Sequence, residues 1–180
     1  MFAFLSGRPC LDLTTTLRVR HREPVETLRT PRDARDWIEQ AGLTERVAVD
    51  DTGLVRLRGF REVIHRLARA ALAAAPPDPA DVRRLNEVAA RPPTVPCLVD
   101  GAVRHRGDLD QALSTLARDA IDLLTGPQAG RVRECAHPDC SRLFLDASHA
   151  GRRRWCGMAA CGNKSKSAAY RRRVRGGMGR

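Results

Sequence analysis

No apolar run in the chain approaches the ~18 residues that a membrane span requires, so a transmembrane protein is not among the expected classes. The apolar start, Met1 to Leu5, falls short of the ~7 to 15 residues of a secretory leader, which makes the cytoplasm the expected compartment. Lysine is almost missing: of 32 Lys/Arg residues, only Lys164 and Lys166 are lysine. That scarcity accompanies abundant Ala, as GC-rich coding produces, and carries no mechanism of its own. Internal repeats and low-complexity tracts are also missing, although Arg171 to Arg175 is a dense basic cluster. What remains is the composition of a folded soluble protein, 42% hydrophobic and 29% charged, with room for one large or two unequal domains in 180 residues.

The net charge of +11 is unevenly spread. Residues 1 to 130 hold 19 Lys/Arg against 18 Asp/Glu, a net of +1, while residues 131 to 180 hold 13 against 3, a net of +10. Such a concentration favours polyanions, either nucleic acid or anionic lipid headgroups. The balance changes within Thr125 to Gly130, a stretch with two Gly and one Pro, and the domain boundary is placed there, giving units 1–130 and 131–180. The linker is short enough for the second unit to dock on the first.

The first unit reads as mainly α with a small β-hairpin. Pro9 opens a short helix whose stripe is Leu11, Thr14 and Leu17. Thr30 caps the next, with Pro31 at its first position, Asp33 at the positive end of the dipole, and Ala34, Trp37, Ile38 and Ala41 on one face before Gly42. A longer helix runs from about Thr52 to Ala74, buried through Leu54, Leu57, Ile64, Leu67, Ala68 and Ala71, and is stopped by Pro76-Pro77. Asp78 caps a further helix carrying Val82, Leu85, Val88 and Ala89. Asp100-Gly101 then suits a two-residue turn between strands near 95–99 and 102–104. Asp108 with Gln111 forms a capping-box-like start for a helix carrying Leu109, Leu113, Leu116, Ala120 and Leu124. Cys10 and Cys97 are expected to be small buried apolar residues. Asp12 and Glu62 are read as caps or surface charge.

The other four cysteines, Cys135, Cys140, Cys156 and Cys161, form two C-x4-C pairs separated by fifteen residues. In a reducing compartment clustered thiols are better read as metal ligands than as disulfides. Four thiolates complete a tetrahedral Zn2+ shell and leave no open position for water, so one structural zinc ion is expected and an enzyme is not. His137 and His149 stand near the cysteines, but the shell is already full. With Val132, Leu143, Phe144, Leu145, Trp155 and Met158 as its few large apolar residues, the tail needs such a staple. Zinc supplies roughly 10 to 16 kcal/mol against the ~3 to 5 of a small core. The expected fold is treble-clef-like, a β-hairpin plus a helix: strands at Leu143 to Leu145 and Arg152 to Trp155, then a helix from about Gly162 to Val174.

That helix is cationic. Lys164, Arg171 and Arg175 share one side, and Lys166, Arg172 and Arg173 add further charge, with Asn163 as a polar neighbour. Arg152, Arg153 and Arg154 form a second basic element. Arginine suits phosphate and guanine edges, so these ten residues are the candidate nucleic-acid contacts.

The run Cys156-Gly157-Met158-Ala159-Ala160-Cys161-Gly162-Asn163-Lys164 resembles the bacterial CGNR zinc finger, as do the flanking Arg153-Arg154-Trp155 and Arg171-Arg172-Arg173, Cys135 to Cys140, and Leu143 to Asp146. Lys164 stands where that family has Arg, which keeps the charge and replaces a bidentate fork by an ammonium. Gly7 to Leu17, with Cys10-Leu11-Asp12-Leu13, and Trp37 with Ala41-Gly42-Leu43 are similar to the ABATE domain of stress-induced transcription regulators, with Thr15 where Asn is expected. The resemblance implies a DNA-binding transcription regulator. Duplex DNA is favoured over the alternative, an RNA or ribosome partner, because single-strand readers use exposed aromatic platforms and the tail offers only Phe144, Trp155 and Tyr170. A homodimer on a two-fold site and a small-molecule effector of residues 1–130 stay open.

Overall fold

The computed structural model describes residues 2–163. Lys164, Lys166, Arg171, Arg172, Arg173 and Arg175, with all but the start of the predicted terminal helix, lie outside the described residues.

The helices begin and end where local chemistry directs. Helix α1 (Pro9–Thr14) opens on proline and closes on Thr14, Thr15 and Thr16, whose hydroxyls donate to the Leu11, Asp12 and Leu13 carbonyls at 2.7, 2.8 and 2.7 Å. A two-residue ladder, β1 (Leu17–Arg18) with β2 (Val25–Glu26), leads to α2 (Pro31–Gln40). There the Thr30 hydroxyl accepts from the Asp33 N–H while the Asp33 carboxylate accepts from the Thr30 N–H. Asp50 caps α3 (Asp51–Leu72) and Asp78 caps α4 (Pro79–Ala89). After the antiparallel hairpin of β3 (Val95–Val99) and β4 (Ala102–Arg106), Asp108 and Gln111 form a complete capping box on α5 (Leu109–Thr125).

Helix α3 is the spine. Leu57 and Ile64 pack with Leu11 and Leu13 of α1, Trp37 and Ile38 of α2, Leu85 of α4, and Leu116 and Leu123 of α5 in one cluster. Each such side chain stabilises the fold by roughly 1.5 to 3 kcal/mol. The cluster also holds charge. Arg61 is 3% exposed, yet its guanidinium donates to both Glu26 oxygens and to Glu62 at 2.7 Å, and to Thr16 Oγ1 at 3.1 Å. Buried Asp12 accepts the Ser6 N–H at 2.9 Å. Buried Asp12 and part-buried Glu62 are therefore internal partners, not the caps or surface charges read from the sequence: Asp12 ties back to Ser6 before α1, and Glu62 meets Arg20 across 42 residues.

The β3–β4 hairpin turns through Asp100 and Gly101 at φ 49° and 75°, as a type I′ turn needs. It projects from the body, with Leu98 79% and Val103 66% exposed. Cys97, expected in the core, is accordingly part-exposed. The loop before α3 is tied to this hairpin, since the Glu45 N–H donates to the His105 carbonyl at 3.1 Å and the Thr44 hydroxyl to the Gly107 carbonyl at 2.9 Å.

The last hairpin differs from expectation. β5 (Val132–Glu134) pairs antiparallel with β6 (Leu143–Leu145), so the partner of Leu143 to Leu145 precedes Cys135, and Arg152 to Trp155 is irregular. The physical reason is the two-sided use of β6. Val132, Leu143 and Leu145 point into the helical cluster, while Phe144, on the opposite side, packs with Cys135 and Cys156. The Leu145 N–H donates to the Ser6 carbonyl at 2.8 Å, which extends the hairpin onto the segment before α1. Among the described residues, no helix is long and apolar enough to cross a membrane.

Candidate metal centre

The hairpin places the first cysteine pair. Cys135 follows β5 and Cys140 precedes β6, and the turn between them is closed by the Cys140 N–H on the His137 carbonyl at 2.9 Å. The His137 ring takes the Asp139 N–H at 3.1 Å, so this imidazole shapes the turn and is no ligand. Cys156 ends the irregular segment, held by the Ala136 N–H on the Arg154 carbonyl at 2.8 Å. Cys161 sits in a wide helical turn, Met158–Gly162, closed by the Gly162 N–H on the Gly157 carbonyl at 3.0 Å.

All four sulfurs lie within 4.8 Å of one another. Cys140 and Cys156 are 3.8 Å apart, Cys156 and Cys161 3.7 Å. Four thiolates at about 2.3 Å from one zinc ion stand about 3.8 Å apart in a tetrahedron, so the donor set and spacing fit. A disulfide, at about 2.0 Å, does not. The Cys156 N–H points at the Cys135 sulfur at 3.4 Å, placing backbone dipole on a ligand. Hydrogen bonding from Cys156, against burial, draws the Cys140 thiol down to about 5. Cys156 is pushed up by that same bond and by burial, and burial with the Cys140 charge pushes Cys161 up to about 11. Several thiolates cannot share this space without a cation.

Two residues frame the centre that sequence reasoning missed or assigned elsewhere. Asp146 is fully buried and accepts the Ser148 hydroxyl and N–H at 2.6 and 3.0 Å and the Arg153 N–H at 2.9 Å. The Ser148 hydroxyl, foremost, holds its carboxyl below the usual range. An Asp two residues before a Ser at a turn is the signal that marks it. Arg153, a candidate nucleic-acid contact, instead turns inward. Its guanidinium donates to the Trp155 carbonyl at 2.8 Å and to the Cys156 carbonyl, and lies 4.7 Å over the Phe144 ring. Arg152, Arg154 and Asn163 are exposed, on either side of the second pair.

The body grips the other side. The Arg20 N–H donates to Ser141 Oγ at 3.0 Å, His21 Nε2–H to the Pro138 carbonyl at 2.9 Å, and Arg22 pairs with Asp139 at 2.7 Å. Val19, which opens this segment, is held at φ 53°, a left-handed conformation costly for a β-branched residue.

The comparisons agree with this construction. Residues 7–127 match the ABATE model, described as "Putative stress-induced transcription regulator", and residues 131–174 match the CGNR zinc finger. No curated protein matches the chain. With two thirds of its length under the first model and four clustered sulfurs for one structural zinc ion under the second, the chain belongs to the ABATE family and carries a CGNR zinc finger after its helical body.

Proposed function

We propose that this is a zinc-dependent, duplex-DNA-binding transcription regulator of the cytoplasm, in which the metal orders a cationic surface and does no chemistry. The observation that carries the reading is the placement of exposed Arg152 and Arg154 just before Cys156 and exposed Asn163 just after Cys161, at the head of a tail with a net charge of +10. The metal shell, made of four thiolates, supplies no open position for hydrolysis. Among the described residues, the aromatics of the tail that could serve as single-strand platforms are engaged: Phe144 is buried and the Arg154 guanidinium lies 5.3 Å over the Trp155 ring.

The test is selection of bound duplex fragments by the purified full-length protein, with and without chelator, followed by titration of the best duplex against salt. Four to six neutralised phosphates give a slope of log K on log salt of about −4 to −5, and chelation abolishes binding. A slope near zero, or RNA hairpins outcompeting every duplex, overturns the reading.

A further inference from the structure

We propose that the helical body carries a second, independent anion site, a groove that takes a small ligand bearing phosphate or carboxylate groups. It lies where the loop before α3 meets the β3–β4 hairpin, an open concavity of about 580 Å3 lined by Glu45, Arg46, Val99, Arg104 and Arg106. Three guanidinium groups and one carboxylate line a single concavity. Glu45 is committed to Arg104 at 3.0 Å, and among the described residues Arg46 and Arg106 pair with no carboxylate. Arg104 and Arg106 share one face of β4, and planar guanidinium forks match bidentate oxygen pairs of phosphate or carboxylate, so a bound anion relieves the repulsion between neighbouring cations.

The backbone supplies an independent observation. Arg46 is held at φ 55°, a conformation for which glycine is the unstrained choice. The neighbouring Thr44 and Glu45 are anchored, by hydrogen bonds to the Gly107 carbonyl just after β4 and to the His105 carbonyl of β4. The loop thus holds Arg46 in one backbone conformation while no carboxylate among the described residues matches its charge.

The site is remote from the metal centre. The loop that carries Glu45 and Arg46 leads into the end of α3 near Gly53, whereas Arg69, sixteen residues beyond Gly53 on that helix, meets Glu134 of β5. That separation is about 24 Å of helix axis. One duplex contact surface at the finger does not reach it without a large detour, which favours a small anion over the DNA backbone.

Calorimetric titration of the full-length, zinc-loaded protein with pyrophosphate and, separately, with citrate tests the assignment. Saturable one-to-one binding of either anion is expected, pyrophosphate marking a phosphate ligand and citrate a carboxylate. Arg46→Gly, which relaxes the loop, is expected to raise or preserve the Tm while weakening binding at least about tenfold, as loss of a charge-assisted pair does. Arg106→Ala weakens it similarly, and Arg152→Ala leaves it unchanged. The proposal is overturned if neither anion binds, if Arg152→Ala costs as much as Arg46→Gly, or if Arg46→Gly impairs duplex DNA binding while leaving the anion titration intact.

Discussion

Because β6 is shared by the helical cluster and the sulfur cluster, removing the metal should weaken the helical body as well as the finger. Val132, Leu143 and Leu145 are at most 5% exposed in the helical cluster, and Phe144 stands between them on the metal side. Complete loosening of the hairpin returns these three side chains to water, a loss of roughly 6 kcal/mol at the usual 1.5 to 3 each. Zinc at a thousand times its Kd contributes about 4 kcal/mol by mass action, which sets the smaller bound. At 2 to 4 °C per kcal/mol for a chain of this size, chelation lowers the Tm by about 8 to 16 °C. The two tryptophans report separately, since Trp37 is 1% exposed in the helical cluster and Trp155 packs on the sulfurs. Thermal melts followed by fluorescence in Trp37→Phe and Trp155→Phe proteins should show both signals shifting together on chelation. A Trp37 transition that stays put while the Trp155 signal is lost would refute the shared-strand argument.

Arg153 and Arg152 should separate metal binding from nucleic-acid binding. Arg153→Ala removes the donors to the Trp155 and Cys156 carbonyls and is expected to lower zinc affinity about 10- to 100-fold in competition with a chromophoric chelator. Arg152→Ala should leave that affinity alone and reduce the DNA salt slope by about 1, and equal effects on zinc would disprove the division. Burial, then the nearby Arg20, holds His65 down to about 4, with Glu62 opposing and Arg66 and Arg69 adding repulsion. Its folded value lies below the unfolded ~6.5, so the unfolded state takes the proton first. Stability is flat above about pH 6.5 and falls toward pH 4, by about 1 kcal/mol between pH 6.5 and 5.5. Urea melts of His65→Gln should lose that slope, and an unchanged slope assigns it elsewhere.

Helix boundaries were legible because their determinants are local. Thr30 with Asp33, Asp108 with Gln111, and Asp78 before Pro79 each lie within one turn of the helix they start. The metal ligands were legible for a related reason, since four thiols at paired spacing admit few other uses. Partners distant in sequence were not. Arg61 meets Glu26 across 35 residues, and Arg20 reaches Ser141 across 121, and nothing in their neighbourhoods announces it. The strand error has the same origin: neither Arg152 to Trp155 nor Val132 to Glu134 carries a clear alternation, and burial of Val132 by helices elsewhere decides between them. A run of three arginines carries no mark of which one turns inward, as Arg153 does.

The clasp formed by Arg20, His21 and Arg22 fastens the first knuckle to the helical body. Its three contacts, at Ser141, Pro138 and Asp139, join residues more than a hundred positions apart, while Pro138 and Asp139 stay exposed. On the proposed reading, a duplex would meet the flank of Cys156 and Cys161, where Arg152, Arg154 and Asn163 are exposed. The footprint should then be lopsided, protecting one face of the groove, and neighbouring copies could tile a duplex in a single orientation.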